Sequence, residues 1–223
     1  MKATFILAAL LIIVLVLTLF CIIVPLLFMV DRVTLTGTPL LFMFFACIGF
    51  GFMLVEISQM QRFNIFLGHP TYGLSVVLFS LLLSSGLGSY TTQKIDNANA
   101  RDKAIIRLLF LLFALIVFGI LTPYAVNLFQ SSITIVRILV ATVLLFPLGI
   151  SMGMAFPLGM KMASAKSLSL TPWLWGINGA TSVCGSVLAV AIAMNFGIST
   201  SYWTGFSFYC FSFIVILMRQ TKN

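Results

Sequence analysis

Charge is what this chain has least of. Only 7% of its 223 residues are Asp, Glu, Lys or Arg, against roughly 25% in an average soluble domain. The acids number four, Asp31, Glu56, Asp96 and Asp102, and there is a single histidine, His69. A haem or metal site built on paired histidines is therefore excluded within this chain. The four cysteines, Cys21, Cys47, Cys184 and Cys210, show no CxxC spacing and all fall in apolar runs, so they read as packing residues, not redox or metal ligands. The eleven methionines are scattered along the same runs, which suits core packing better than a metal relay. Long polar stretches are also missing. The longest, 90–103, runs about fourteen residues, too few for a separate soluble domain.

What is present is apolar length. The chain is 61% hydrophobic, with a mean hydropathy of +1.20, the composition of a polytopic membrane protein. Runs of about 20 apolar residues, the length that crosses a bilayer as a helix, occur at 3–30, 39–60, 72–89, 104–126, 133–160, 172–196 and 199–218. The expectation is an all-α helix bundle of seven transmembrane spans, forming one membrane domain over 1–223. The first run begins near Lys2, as a signal peptide would. Its apolar stretch of about 27 residues exceeds the 7–15 of a cleavable signal and lacks a small-x-small site before Asp31, so it reads as a retained helix.

Lysine and arginine set the expected orientation. Seven spans place Lys2, Arg62 and Arg137 on the side of the N-terminus. The other side collects Arg32, Lys94, Arg101, Lys103, Arg107, Lys161, Lys166, Arg219 and Lys222. That asymmetry predicts an outside N-terminus and a cytoplasmic C-terminus. The net charge of +8 then belongs mainly to the cytoplasmic face and suits anionic lipid headgroups, and nothing else in the sequence points to nucleic acid.

Glu56 stands alone as an acid inside a span. An ionisable group there must pair, stay protonated or face a polar cavity, and it is a functional candidate by default. Gln59 and Arg62 follow at three-residue steps and extend a polar stripe towards the outer end of the span. The connection 61–72 comes next, read as either an external turn or a re-entrant segment. Within it Gly68, His69 and Pro70 form a tight turn that brings His69 and Tyr72 to the interface, as anchors or as ligands. Glu56 and Arg137 each lie about five residues inside their spans from the same side, roughly 7 Å deep at 1.5 Å per residue. That match makes them candidate ion-pair partners, either a structural pair or a proton or cation site.

Two other spans carry shaped features. The fifth repeats Pro-Leu-Gly at Pro147 and Pro157, with Gly149 and Gly153 in GxxxG spacing, a pattern for kinking and close helix packing. The sixth opens Pro172-Trp173-Leu174-Trp175, with proline suited to the first turn and tryptophans to the headgroup level. Thr181, Gly185, Ala189 and Ala193 then recur every four residues as a packing stripe. Asn178 and Ser182 are available to bond across helices or to line a polar pocket.

Several ordered motifs carry a family resemblance. They are Gly49-Phe50-Gly51-Phe52-Met53-Leu54-Val55-Glu56-Ile57, Gln61-Arg62-Phe63, Phe66-Leu67-Gly68-His69-Pro70-Thr71-Tyr72, Ser85-Gly86-Leu87-Gly88-Ser89, Met154-Ala155-Phe156-Pro157-Leu158-Gly159 and Trp175-Gly176-Ile177-Asn178-Gly179-Ala180. Over roughly 40–195 the chain resembles the C-terminal membrane half of bacterial spermidine-synthase-like multi-pass membrane proteins. The resemblance implies residence in a bacterial inner membrane. Such proteins typically add a soluble aminopropyltransferase-like domain of Rossmann-type methyltransferase fold. No soluble strand with a glycine-rich loop and a downstream acid occurs in this chain, so no catalytic residue or cofactor carries over. Two expectations remain. One is a noncatalytic membrane module that scaffolds or anchors a partner protein or complex. The other is a transporter-like protein moving a cation, proton or small amine along a path through Glu56, although no inverted repeat supports it.

Overall fold

Lipid offers no hydrogen bonds, so an apolar run satisfies its backbone internally by coiling into a helix. The computed structural model describes residues 2–29, 38–95, 100–164 and 168–218. Among these residues every regular element is helical: α1 (Lys2–Thr18), α2 (Val24–Met29), α3 (Pro39–Leu67), α4 (Pro70–Tyr90), α5 (Ala100–Phe129), α6 (Thr134–Gly153), α7 (Ala155–Ser164), α8 (Thr171–Phe196) and α9 (Ile198–Met218). Short π and 3-10 turns occupy Leu19–Ile23 and Leu168–Leu170. Val30, Asp31, Arg32, Asp96, Lys166, Arg219 and Lys222, all used in the sequence reading, lie outside the described residues.

Six spans are long and apolar enough to cross a membrane: α3, α4, α5, α6 with α7, α8 and α9. The N-terminal run is helical as well, from Lys2 through Met29. Pro25 cannot donate to the carbonyl one turn before it, and just ahead of it the ladder widens to π spacing, with the Val24 N–H bonded to the Leu19 carbonyl.

The second span is longer than expected. Instead of ending near Met60, α3 continues to Leu67 because Phe63, Phe66 and Leu67 remain buried against the bundle. The connection between the two helices is therefore short. Residues 61–67 are helix, and the link to α4 is Gly68 and His69. Gly68 takes φ +77°, a left-handed closure that glycine permits without strain. His69 caps α4 by accepting from the Thr71 N–H at 3.3 Å, with Pro70 in the first turn.

The fifth span is kinked and runs as one stretch over Thr134–Ser164. Pro157 withholds the amide that the Gly153 carbonyl would accept in a regular helix, and the kink falls at Met154, which keeps right-handed helical angles between α6 and α7.

Helix α3 is the centre of the bundle. It packs on α8 and α9 along one side and on α4, α6 and α7 along the other, while α5 bridges α6 and α9. Helix α1 lies outside, against α8. Apolar surface gains little from leaving lipid, so these contacts depend on close approach between helices. Gly205 of α9 accordingly sits against Leu54 and Val55, and Gly185 of α8 against Phe50 and Met53. Leu54 and Val55 are fully buried as a result. Hydroxyls facing lipid or core fold back onto their own helices, as Thr122 does to Phe118, Thr142 to Ile138 and Thr204 to Thr200.

Candidate functional site

Glu56 lies on the central helix, buried at 7% exposure. No hydrogen bond or ion pair to it occurs among the described residues. Side chains on a helix lean towards its N-terminus, so Glu56 reaches over Phe52 and Met53, one turn earlier. Those two residues line a cleft of about 440 Å³. The other walls are Ile48 of α3, Leu82, Ser85, Gly86 and Ser89 of α4, Met152, Gly153 and Ala155 to Pro157 at the α6–α7 kink, Asn178 and Ser182 of α8, and Tyr209 of α9. Helices α4 and α8 flank α3 without packing extensively on one another. The cleft opens between them: Leu82 is 64% exposed, and a side chain added at Gly86 would meet nothing within 4 Å.

The lining is apolar with a few fixed polar groups. Asn178 donates to the Phe45 carbonyl at 3.0 Å, and Ser182 to the Gly49 carbonyl at 3.5 Å. Each bond anchors α8 to α3 and holds a polar side chain at the cleft wall. Tyr209 reaches the cleft from the far side of α3 because Gly51 leaves room for its ring, the absent Cβ lying 3.0 Å from Cδ2. Tyr209 is buried and lies within electrostatic range of Glu56. The cleft therefore joins a phenol, an amide and serine hydroxyls to aromatic walls from Phe52 and Phe156, with Glu56 one helical turn beyond the lining residues of α3.

The rest of the polar stripe turns away from the cleft. Each three-residue step rotates the direction by about 60°. Gln59 is fully buried, with its Nε2 donating to Ser58 at 3.4 Å. Arg62 reaches α9, donating to Ser199 at 3.0 Å and lying 5.9 Å over the Tyr202 ring. That is a cation held at the membrane boundary by a hydroxyl and an aromatic face.

Glu56 and Arg137 are not brought together. The matched depths assumed that α3 ends near Met60. With α3 running to Leu67, Glu56 is eleven residues from the helix end, about 16 Å at 1.5 Å per residue, whereas Arg137 stands in the first turn of α6. Arg137 instead donates from Nη1 to the Phe66 carbonyl at 3.0 Å, a cation on the negative end of α3. His69 is exposed at the cap of α4, its ring centroid 5.5 Å from that of Tyr72.

The glycines of the kinked span meet α4. A Cβ on Gly149 would collide with Ser84, and one on Gly153 with the backbone of Ser85. Ala189, next to Gly185 on the α8 stripe, is fully buried. Cys47 and Cys184 are buried as well, Cys21 is exposed, and all four cysteines are free.

Cations at the opposite end follow the pattern of Arg137. Lys161 donates to the carbonyls of Gln93 and Ile95 at the close of α4, and Arg101 to that of Ile216 near the end of α9. Arg107 bonds Thr91 at 2.9 Å and the sulfur of Met154.

Tyr209 and the partners of Arg62, Ser199 and Tyr202, are the site residues that sequence reasoning missed. A tyrosine far from either end of a span was the available signal, since a buried phenol needs a polar neighbour. Among the described residues no group of His, Cys, Asp and Glu is placed to hold a metal ion. No family model, curated protein or solved structure matches the chain.

Proposed function

We propose that this integral membrane protein binds a small amphipathic amine or comparable organic cation in the cleft beside Glu56, as a transport-type binding module. The carrying observation is a cleft that combines a proline-kinked helix, an open lateral mouth and fixed polar groups, one helical turn from a buried carboxylate that has no ion-pair partner among the described residues. Intramembrane acids mark solute and ion paths in membrane proteins. Glu56 supplies the counter-charge, Tyr209 and Asn178 supply polar contacts, and Phe52 with Phe156 pack on the apolar part. The excess of lysine and arginine at the α4–α5 end supports a cytoplasmic location for that end, with the α3–α4 turn outside.

A panel of dansyl-labelled primary amines of graded chain length, titrated into the protein in lipid nanodiscs, tests this reading. Binding of at least one amine is expected, weakened by about tenfold or more in Glu56→Gln and in Gly86→Leu, the latter because leucine enters the cleft without a clash. Equal affinity in wild type and both variants, or no binding across the panel, would refute it.

The second reading keeps the chain as a noncatalytic module for a partner, in line with the resemblance to the membrane half of spermidine-synthase-like proteins. The observation favouring it is α1, which among the described residues packs mainly on α8 and exposes Phe5, Ile6, Ile12 and Ile13. Such a helix suits a second membrane protein. Deleting residues 2–29 would abolish co-purification of that partner while leaving amine binding intact.

A further inference from the structure

Two fully buried polar atoms lie off the cleft without a hydrogen-bond partner: Oε1 of Gln59 and Oγ of Ser201. Nη1 of Arg62 is buried and unpartnered too, although Nη2 bonds Ser199. The register of α3 against α9 brings the three together. Gly205 lies on Leu54 and Val55, and Arg62 meets Ser199, so in an antiparallel pair Ser201 falls opposite Ser58 and Gln59. The other unpartnered atoms, Oδ1 of Asn64, Nε of Arg101, Nε of Arg137 and Oγ1 of Thr171, stand near helix ends. Gln59 is eight residues from the end of α3, between Glu56 and Arg62.

We propose that Gln59, Ser201 and Arg62 hold buried water, and that through it Glu56 exchanges its proton with the aqueous end of the bundle at the α8–α9 turn. The chemistry of the three atoms suits water. Gln59 Oε1 accepts, Arg62 Nη1 donates, Ser201 Oγ does either, and a buried water takes two to four such partners. The path is short. Glu56, Gln59 and Arg62 are spaced by about 4.5 Å along the axis, and Ser199 at the end of it is exposed.

In the step itself the Glu56 carboxyl gives its proton to the water, which releases one of its own towards Ser199. One proton leaves and the carboxylate stays behind. The reverse transfer restores the acid.

Few other ionisable groups compete. Helix α9 presents Tyr202 and Tyr209. The guanidinium of Arg137 on α6 is committed to Phe66, and Lys161 of α7 lies at the opposite end. The thiol of Cys184 on α8 is directed to Thr18 of α1, and α4 carries its His69, Tyr72 and Tyr90 at its ends.

The inference rests on the reading of Glu56 as the acid of the cleft, and it separates the two directions of access. Solute enters between α4 and α8, and the proton arrives from the other end. The test is infrared difference spectroscopy of the full chain in nanodiscs with no amine present, so a failure of amine binding leaves its outcome unaffected. The Glu56 carboxyl band is assigned by its loss in Glu56→Gln, and its hydrogen–deuterium exchange is timed. Exchange is expected to slow by about tenfold or more in Gln59→Leu/Ser201→Ala. Ser201→Ala alone, which alters volume least, slows it by about threefold or more. Gly86→Leu leaves it unchanged. The proposal is overturned if both the double variant and Ser201→Ala exchange at the wild-type rate, if Gly86→Leu is the variant that slows exchange, or if no Glu56 carboxyl band appears at any pH where the protein stays folded.

Discussion

Gly86 and Gly88 stand two residues apart on α4 and face different surroundings. A methyl group at Gly86 meets nothing within 4 Å, because that position opens on the cleft. At Gly88 it would fall on the Ile150 carbonyl of α6, with the carbonyl carbon only 2.9 Å away. Backbone cannot rotate aside as a side chain can, so Gly88→Ala must push α4 from α6. Overpacking of that kind costs about 1–3 kcal/mol. Helix propensity adds little to either variant, since an unfolded membrane helix in detergent stays helical. Gly86→Ala should therefore lie within about 0.5 kcal/mol of wild type. For a chain of this size 1 kcal/mol moves the midpoint by roughly 2–4 °C. Thermal unfolding in one detergent, followed by near-ultraviolet circular dichroism, should show Gly88→Ala lowered by roughly 2–12 °C and Gly86→Ala nearly unmoved. Equal losses in the two variants would mean that α4 is packed at Gly86, and the cleft as described would not exist.

Three further outcomes follow from single contacts. Arg137→Met removes a charged donor from the Phe66 carbonyl and should cost about 1.5–3 kcal/mol in the same unfolding assay, with Arg137→Lys losing less. A stability unchanged in Arg137→Met would show that α3 ends without that cap. Tyr202→Phe deletes the 2.6 Å bond to the Leu115 carbonyl, which keeps its helical partner within α5, so a loss of only about 0.5–1.5 kcal/mol is expected; a loss several times larger would contradict that accounting. Maleimide labelling of the folded protein in detergent, read by mass spectrometry, should modify Cys21 and spare Cys47 and Cys184 until denaturation. Modification of Cys47 in the folded state would contradict its burial in α3.

Much of the fold was legible because apolar length is an additive signal. The boundaries read at 72–89, 172–196 and 199–218 fall within two residues of α4, α8 and α9. The second span failed for an identifiable reason. Gln59, Gln61, Arg62 and Asn64 interrupt its hydropathy, yet Phe63, Phe66 and Leu67 carry a buried face through the same turns. Average polarity ended the helix on paper, and periodicity continues it in the molecule. That error of seven residues also produced the Glu56–Arg137 pairing, since depth was measured from the wrong end. The cleft was out of reach in a different way. It depends on which helices flank α3 without packing extensively on one another, a property of tertiary arrangement that no single span encodes. Asn178 was nonetheless singled out from its position beside the packing stripe, and it stands at the cleft wall.

The distribution of cations gives Glu56 its significance. Arg137, Lys161 and Arg101 each donate to backbone carbonyls at or near a helix end, where the partial negative charge of the helix terminus favours them. Arg62 is occupied by Ser199 and the Tyr202 ring, and Arg107 by Thr91 and Met154. Lys94 and Lys103 are exposed at the far end of the bundle. The described basic residues thus serve helix ends and boundaries, and none comes to the acid at the middle of α3. A buried carboxylate without a counter-ion is costly, so its neutrality must come from a proton or from a cation that enters the site. The two proposed routes differ in direction, with the unpartnered atoms of Gln59 and Ser201 lying towards the C-terminal end of α3 from Glu56 and the cleft lying towards its N-terminal end. An acid that can hold either species, but has room to be neutralised by only one at a time, couples the binding of the two. Protonation of Glu56 should then weaken amine binding, and bound amine should hold Glu56 deprotonated. The linkage is measurable as proton release when the amine is titrated in weakly buffered solution at a pH where Glu56 is protonated. Proton release that persists undiminished in Glu56→Gln would place the coupled group elsewhere.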